Sequence, residues 1–524
     1  MKTKYFLLGA MGLMSLPIAA QETYQDTKLM ENELNGTARY VGMGGAMEAL
    51  GAELSTMQSN PAGIGLFRKS QIALSAGVVS QGGDNSDTKV NFGNSGINFN
   101  GDKTNASLDQ IGFVWAMRNG RNSYLNFGFN YHKSRNFDQI LSVANSLNKA
   151  SLNKLTAAKY NNGLGDKGSM AWTGFDDAYA GALVKDNPDG QGTYMDYMNA
   201  TQYMFGQYQK GYIGEYDFNI SGNIHDRVYL GVTFGLHDVN YRSNKLYAED
   251  LEGNAMADNY ESLKIDGTGF DIKLGAIFRP IEDSPFRIGL YVNTPVWYDL
   301  TMRNAYDLSL NQPSQNLSYD KGNSANYDFK VYTPWKFGVS LGHTVSNYLA
   351  LGLTYEYQDY ADIDNRINEG TYVDDFGYSY DESSSDDVMN SNTKESLKGV
   401  HTVKFGVEVK PVPEFAIRAG YNYVSPQFKD DACRRQDLQS PGVGYATSAD
   451  YTNWKATNRL TFGLGYSHKN FFADAAYQYN HTSGDFSPFM SYTGDKIAEN
   501  DVVPTESKVK FDRHQVLFTI GYRF

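Results

Sequence analysis

Histidine, cysteine and clustered carboxylates are the side chains that could hold a metal or do nucleophilic chemistry, and here they are scattered. None of the eight histidines has the HxxH or HExxH spacing that sets two zinc ligands on one helix face. His132 and His237 could face a lumen near its outer rim. An isolated histidine is otherwise plain polar surface. The single cysteine, Cys433, cannot build a disulfide framework and reads as an incidental loop residue rather than a reactive thiol. Asp374-Asp375, Asp381-Glu382 and Asp386-Asp387 offer oxygens to calcium but lack EF-hand spacing, and read as a solvated loop. Gly42-Met43-Gly44-Gly45 lacks the preceding strand and the third glycine of a dinucleotide loop. No cofactor and no metal is implied, and the chain does not read as an enzyme. A hydrolase would have to draw its acid, base and nucleophile from distant strands.

What must position these side chains is a sheet. Lys2 and Lys4, the apolar run Tyr5–Leu16 and the small residues before Gln21 form a secretory signal, residues 1–20, cleaved near Ala20. Losing the two lysines takes the formal charge from −13 to −15, which excludes nucleic acid as a natural partner. After residue 20 no apolar run reaches the ~18 residues of a membrane helix. Tyrosine occurs 39 times and proline only 14 times, and the mean hydropathy is −0.50. A membrane barrel has this balance, because only alternate strand residues face lipid.

The last segment places Val516, Phe518, Ile520, Tyr522 and Phe524 on one face and Gln515, Thr519 and Arg523 on the other. Such period-two alternation is a strand with one apolar side. Fourteen segments share it: 71–79, 110–118, 123–132, 214–224, 228–238, 268–279, 286–298, 326–342, 348–358, 400–410, 414–424, 458–467, 471–480 and 513–524. Asp217, Asp271, Lys273, Arg287, Lys336, Lys404, Glu408, Arg418 and Asp474 all fall opposite the apolar face. A Lys or Arg at the lipid midplane costs roughly 2–4 kcal/mol, so these charges point into a lumen. Connections of 3–6 residues alternate with connections of 27 or more: 80–109, 133–213, 239–267, 299–325, 359–399, 425–457 and 481–512. Short periplasmic turns and long extracellular loops alternate in this way in outer-membrane barrels. Pro334 should break its strand. The fold class is therefore an all-β, fourteen-stranded antiparallel transmembrane barrel, residues 71–524.

Residues 21–70 do not alternate. Their glycines and small apolar residues suit a compact segment folded inside a lumen, and the stretch from Gln21 reads as polar and extended. The run Ala38-Arg39-Tyr40-Val41-Gly42-Met43-Gly44-Gly45-Ala46, followed by Asn60-Pro61-Ala62-Gly63 and at once by the first strand, resembles the N-terminal hatch of the FadL/TodX family of hydrophobic-compound transporters. TPWKFGVSLG (333–342) and FAIRAGYNY (415–423) extend the resemblance. It implies a hatch over 21–70 with Asn60, Pro61 and Ala62 as its motif and Gly42, Gly44 and Gly45 as its glycines. It also implies capture of apolar substrates in an outer groove, an apolar pocket, and sideways exit near the third strand, beside Leu125–His132, where Asn126, Gly128 and Asn130 lie.

In the largest loop, Phe137, Ile140, Leu141, Ala144 and Leu147 follow helical spacing, with Asn136 and Gln139 resembling a capping box. Trp172, Phe175, Tyr179 and Leu183 suggest a second helix. These short helices could form the capture groove or a self-packed lid. Three functions compete: passive uptake of hydrophobic compounds such as long-chain fatty acids, a general porin, and a surface receptor or adhesin, haem binding included. The partners expected are outer-membrane lipid and lipopolysaccharide, a hydrophobic small molecule, and the barrel-assembly machinery, which would engage the strand ending at Phe524.

Overall fold

The computed structural model describes residues 22–31, 33–82, 103–120, 122–163, 171–313, 317–374, 376–435, 437–440, 443, 447–494 and 501–524. The expected signal peptide lies outside them, as does 83–102 of the first long connection.

Fourteen antiparallel strands form one closed sheet. They are β1 (Gln71–Gln81), β2 (Lys103–Arg118), β3 (Tyr124–Asn136, resumed at Gln139–Ser146), β4 (Ala200–Ile224), β5 (Val228–Leu251), β6 (Ala255–Phe278), β7 (Arg287–Asn293, resumed at Trp297–Gln312), β8 (Leu317–Tyr332, resumed at Lys336–Val345), β9 (Leu349–Asp359), β10 (Gly399–Val412), β11 (Phe415–Val424), β12 (Tyr451–His468), β13 (Phe471–Ser487) and β14 (Ser507–Arg523). β1 closes on β14 from Gln71↔Arg523 to Gln81↔Arg513, so no unpaired strand edge meets lipid. Ile72, Leu74, Phe113, Trp115, Phe218, Phe405, Phe462 and Phe518 are among the large apolar side chains exposed on the outer wall. Asp217, Asp271, Lys273, Lys404, Glu408, Arg418 and Asp474 are buried on the inner one, as their phase requires.

The strands run much further than the apolar alternation indicates. β5 and β6 continue to a turn at Glu252–Asn254, and β7 and β8 stay paired as far as Gln312↔Leu317, so the expected long loops 239–267 and 299–325 are largely paired strand. At roughly 3.3 Å per residue, 24-residue β5 extends on the order of 80 Å, against the ~10 residues that cross a bilayer. The reason for the discrepancy is a change of sign in the pattern. Along β6 the inward residues Asp271 and Lys273 are charged, and higher up the inward residues Leu263 and Ile265 are apolar. Above the lipid the outer face meets water, and the core moves inside.

β3, β7 and β8 are interrupted, and β9 resumes at Asp364–Val373 after a short 3-10 turn. Pro334 parts β8 at 333–335, as expected, and Pro295 parts β7 beside it. Val296 N donates to Thr333 Oγ1 (2.8 Å) and Thr333 N to Val296 O (3.1 Å), which rejoins the two breaks to each other. β3 is interrupted at Phe137-Asp138.

Residues 137–147 are not helical, contrary to their spacing. Gln139–Ser146 pairs with Gln202–Gln209 of β4, because the extended sheet offers these backbone groups a ladder. Asn136 Oδ1 accepts from Asp138 N instead of capping a helix. The loop's helices are α1 (Leu152–Asn161), which the spacing did not reveal, and α2 (Gly174–Leu183), started by a capping box between Thr173 and Asp176. Leu155, Phe175, Tyr179, Leu308, Phe486 and Phe489 belong to one buried core above the membrane. In the acidic loop, Asp374 Oδ1 accepts from Phe376 N and Tyr378 N, and Asp386 Oδ1 caps the helix α3 (Asp387–Ser396), so these carboxylates serve local turns.

Candidate functional site: the filled lumen

Residues 22–31 and 33–67 occupy the barrel interior, and the wall is built to admit their backbone. Gly231 on β5, Gly275 on β6, Gly342 on β8, Gly352 on β9, Gly406 on β10 and Gly420 on β11 each face this segment where a Cβ would collide with it. Gly342, Gly352, Gly406 and Gly420 are consecutive cross-strand partners, which makes a belt without side chains. The backbone of residues 43–50 lies along that belt. Gly44 itself has φ +63° and sits against Tyr421 N, so a side chain there is excluded twice. Gly42 lies on Gly463 of β12, and Gly45 has φ +78° beside Leu34.

Asn60, Pro61 and Ala62 form the corner where this segment meets β4, β5 and β6. Asn60 Oδ1 accepts from Ala62 N (3.2 Å) and its Nδ2 donates to Glu48 O (3.2 Å). Pro61 opens a short 3-10 turn, where its missing N–H is not needed. Its carbonyl accepts from Ser221 Oγ (2.7 Å) and Asn219 Nδ2 (3.4 Å) of β4. Replacing Gly231 or Gly275 would fill the space this corner occupies.

Buried ion pairs fasten the segment. Arg39 grips Glu408 of β10 with two nitrogens (3.1 and 3.2 Å), and Arg418 of β11 reaches the same carboxylate (2.6 Å) and Asp474 of β13 (2.6 Å). Glu48 accepts from Lys404 (3.0 Å), Thr354 (2.8 Å) and Tyr40 (2.9 Å). Higher up, Glu33 pairs with Arg513 (2.7 Å) and Arg135 (3.4 Å). Each carboxylate is satisfied by groups from several strands, the condition under which a buried charge is tolerated.

The N-terminal stretch is not extended. Thr23–Met30 forms a helix, with Glu22 accepting from Gln25 N at its start and Arg434 bound to the same Glu22 carboxylate. Tyr24 stacks on Phe428 (ring centroids 4.7 Å apart). This helix borders a cavity of about 260 Å³. The cavity is not the apolar pocket expected. Tyr24, Phe137, Ile213, Tyr298, Tyr360 and Phe428 supply one part of its wall, and Lys28, Glu215, Lys273, Lys336, Glu356 and Arg459 another. The inward residues at membrane level are largely polar, and the apolar surface comes from strand residues above them, such as Ile213 and Tyr298, and from the helix.

Of the residues expected to capture substrate, Phe137 and Leu141 reach this cavity, Phe137 edge-on to Tyr241 (5.0 Å). Ile140 is tied to Gln81 of β1 through its backbone (2.6 and 2.9 Å). Phe175 packs on Tyr306 (5.1 Å) in the upper core, and Trp172 lies beside Tyr160 (6.3 Å).

β3 is paired on both sides over Tyr124–His132, with β2 and with β4, so the sheet is continuous beside Asn126, Gly128 and Asn130. All three face inward: Asn126 donates to Ile64 O (2.6 Å) and Phe67 O (3.1 Å), Gly128 leaves room for Met57, and Asn130 accepts from Gln110 (2.7 Å). The ladder between β2 and β3 ends at Gln110↔His132. Above that pair the two strands share no backbone ladder among the described residues, and side chains span the seam, among them Lys103–Asp138 (3.0 Å), Asn105–Asp138 (2.9 Å) and Lys133–Ser107 (2.5 Å).

Two features escaped the sequence reading. The glycine belt was legible as one inward glycine per strand, but only once strand phase was fixed. Gly338-Val339-Ser340-Leu341-Gly342 has the spacing of a hydrolase nucleophile elbow. Its serine lies mid-strand in β8, buried, rather than on a strand-to-helix turn.

No protein-family model and no curated relative matches the sequence. Solved structures do match. A Pseudomonas aeruginosa FadL homologue aligns over 94% of this chain and 99% of its own, at 12% identity and a TM-score of 0.50. The monoaromatic hydrocarbon channel CymD aligns over the same shares at 12% identity and 0.49, and the Pseudomonas putida toluene transporter TodX at 12% and 0.47. With its fourteen strands closed on one another and an apolar outer wall, the chain is a membrane barrel that shares the fold of the FadL/TodX-type channels.

Proposed function

We propose that this barrel resides in the Gram-negative outer membrane and admits hydrophobic and amphiphilic compounds, long-chain fatty acids foremost, by passive diffusion, with residues 22–70 acting as the hatch. The observation that carries this reading is the lumen itself. A through-pore is obstructed by a segment docked on a glycine belt, and the remaining cavity joins aromatic surface to cationic side chains. A hydrocarbon chain against Tyr24, Phe137, Tyr298 and Phe428 gains roughly 0.8 kcal/mol per methylene buried. A carboxylate head would find Lys28, Lys336 or Arg459 on the same wall. That mixed lining favours an amphiphile over a bare hydrocarbon. Entry lies through the upper loops past Phe137 and Leu141. The seam above His132, spanned by side chains, is the route by which a ligand leaves sideways. Diffusion down a gradient requires no energy source, only binding weak enough for release.

Uptake of labelled long-chain fatty acid by cells with the gene, without it, and with an Asn60→Ala form tests the reading. Uptake should depend on the gene and change with the variant. Equal uptake in all three contradicts it. A receptor role draws on a different observation, the exposed Phe376 and Tyr378 where the paired strands Asp364–Val373 and Ser379–Ser385 meet, between β9 and β10. Deleting that connection should leave fatty-acid uptake intact, and loss of uptake would shift the assignment toward surface recognition.

A further inference from the structure

Four neighbouring strands bring two histidines, three carboxylates and one lysine to a single buried point on the lumen wall. His132 comes from β3, Glu215 and Asp217 from β4, His237 from β5, and Asp271 and Lys273 from β6. His132 and His237 lie directly across the ladder from Glu215 on either side. All six are nine-tenths or more buried. Nothing in the uptake route requires such a cluster.

Its hydrogen bonds are divided unevenly. The Lys273 ammonium takes one oxygen from each carboxylate: Glu215 Oε1 (2.5 Å), Asp217 Oδ1 (3.1 Å) and Asp271 Oδ1 (2.9 Å). The second oxygens of Glu215 and Asp217 turn toward His132, with Glu215 Oε2 3.3 Å from Nε2 and Asp217 Oδ2 3.5 Å from Nδ1. His132 Nε2, Asp217 Oδ2 and His237 Nδ1 are buried and make no hydrogen bond. His237 Nε2 meets Asp271 Oδ1 at 3.2 Å, an arrangement that fixes the ring and leaves Nδ1 directed toward Glu215 Oε2 (3.9 Å). Position 235, between Asp217 and Asp271 across the ladder, is glycine, and a Cβ there would fall on the Asp271 carboxylate and lie 2.7 Å from Lys273 Nζ.

Charge points the same way. Three carboxylates against one ammonium leave two negative charges in the cluster when both imidazoles are neutral. An uncompensated buried charge is strongly destabilising, so a counter-charge of two is called for. A divalent cation supplies it in one step. Ligand atoms of His132, Glu215 and Asp217 lie within 4.8 Å of one another, as do those of Glu215, His237 and Asp271. Imidazole nitrogen together with carboxylate oxygen selects zinc and its transition-metal neighbours over calcium or magnesium. The cluster also borders the lumen cavity through Glu215, His237, Asp271 and Lys273, which gives an ion a way in.

We propose that this cluster is a binding site for one divalent transition-metal ion, held by His132, Glu215 and Asp217, with His237 and Asp271 on the flank that shares Glu215. The bound ion ties β3 to β4 one residue short of the seam, at the last ladder pair between β2 and β3.

The test is a Zn²⁺ titration of the full-length protein in detergent after chelator treatment, read both as bound metal per chain and as a shift in thermal unfolding. One equivalent should bind and raise the unfolding temperature. His132→Gln should weaken binding by more than about tenfold, and His514→Gln, outside the cluster, should leave it unchanged. Asp217→Asn keeps both imidazoles and should also weaken binding, so a folding defect in one variant does not decide the matter. Substoichiometric binding by the wild type overturns the assignment, as does a His132→Gln form that binds like the wild type. So does a wild type that takes up no zinc but loses stability as pH rises through the imidazole range, because protons would then be the counter-charge.

Discussion

Glu408 joins Arg39 of the N-terminal segment to Arg418 of the wall, so its removal takes from Arg39 its closest carboxylate and leaves Arg418 with Asp474. Breaking a buried pair of this kind typically costs about 3–5 kcal/mol. Glu408→Ala should lower the unfolding temperature in detergent clearly more than loss of an exposed surface pair such as Lys185→Ala does. Equal small shifts would mean that the hatch is held mainly by its backbone contacts. Those contacts are tested at Gly352, where an added methyl would fall on the Ala46 carbonyl. Gly352→Ala should displace the hatch and raise ion leakage through the barrel, and an unchanged conductance would show that the belt tolerates a side chain. Cys433, in the loop between β11 and β12, is partly buried, and burial pushes its thiol up from the ordinary cysteine value. It should react slowly with maleimide at neutral pH and rapidly once the protein is unfolded, as a mass-shift time course would record.

Among the elements, the seam between β2 and β3 carries the proposed exit route. Asn105→Cys and Asp138→Cys, bridged by a short bis-thiosulfonate in a Cys433→Ala background, would staple the strands where their side chains meet. The stapled barrel should lose most of its fatty-acid uptake and regain it on reduction. Full uptake by the stapled form would exclude the seam as the exit. The membrane part of these strands was legible because alternation with a lipid-facing apolar side is a strong pattern, as in Val516, Phe518 and Ile520. The upper halves of β5 to β8 were not, because above the lipid the apolar residues, Leu263 and Ile265 among them, move to the inner face. The stretch from Phe137 misled for a different reason. Its helical spacing is real, but β4 extends far enough to offer Gln139–Ser146 a ladder. Asn60-Pro61-Ala62 drew attention to the N-terminal segment by resemblance, whereas the proposed metal cluster had no local signal. His132 and His237 are 105 positions apart, and only strand register sets both beside Glu215.

For the whole molecule, the central claim is that a barrel wide enough to conduct is closed by its own N-terminal segment, so that solutes do not cross it as they cross a porin. Fourteen strands would enclose a water-filled channel if residues 22–70 were absent. With them in place, a cavity of about 260 Å³ remains under the upper core, walled by aromatic and charged side chains together. The most direct measurement is the single-insertion conductance of the purified full-length protein in a planar bilayer, with the Gly352→Ala form alongside. The wild type should show no large steady open level, and the variant should conduct measurably more. A large, steady, porin-like conductance from the wild type would contradict the account.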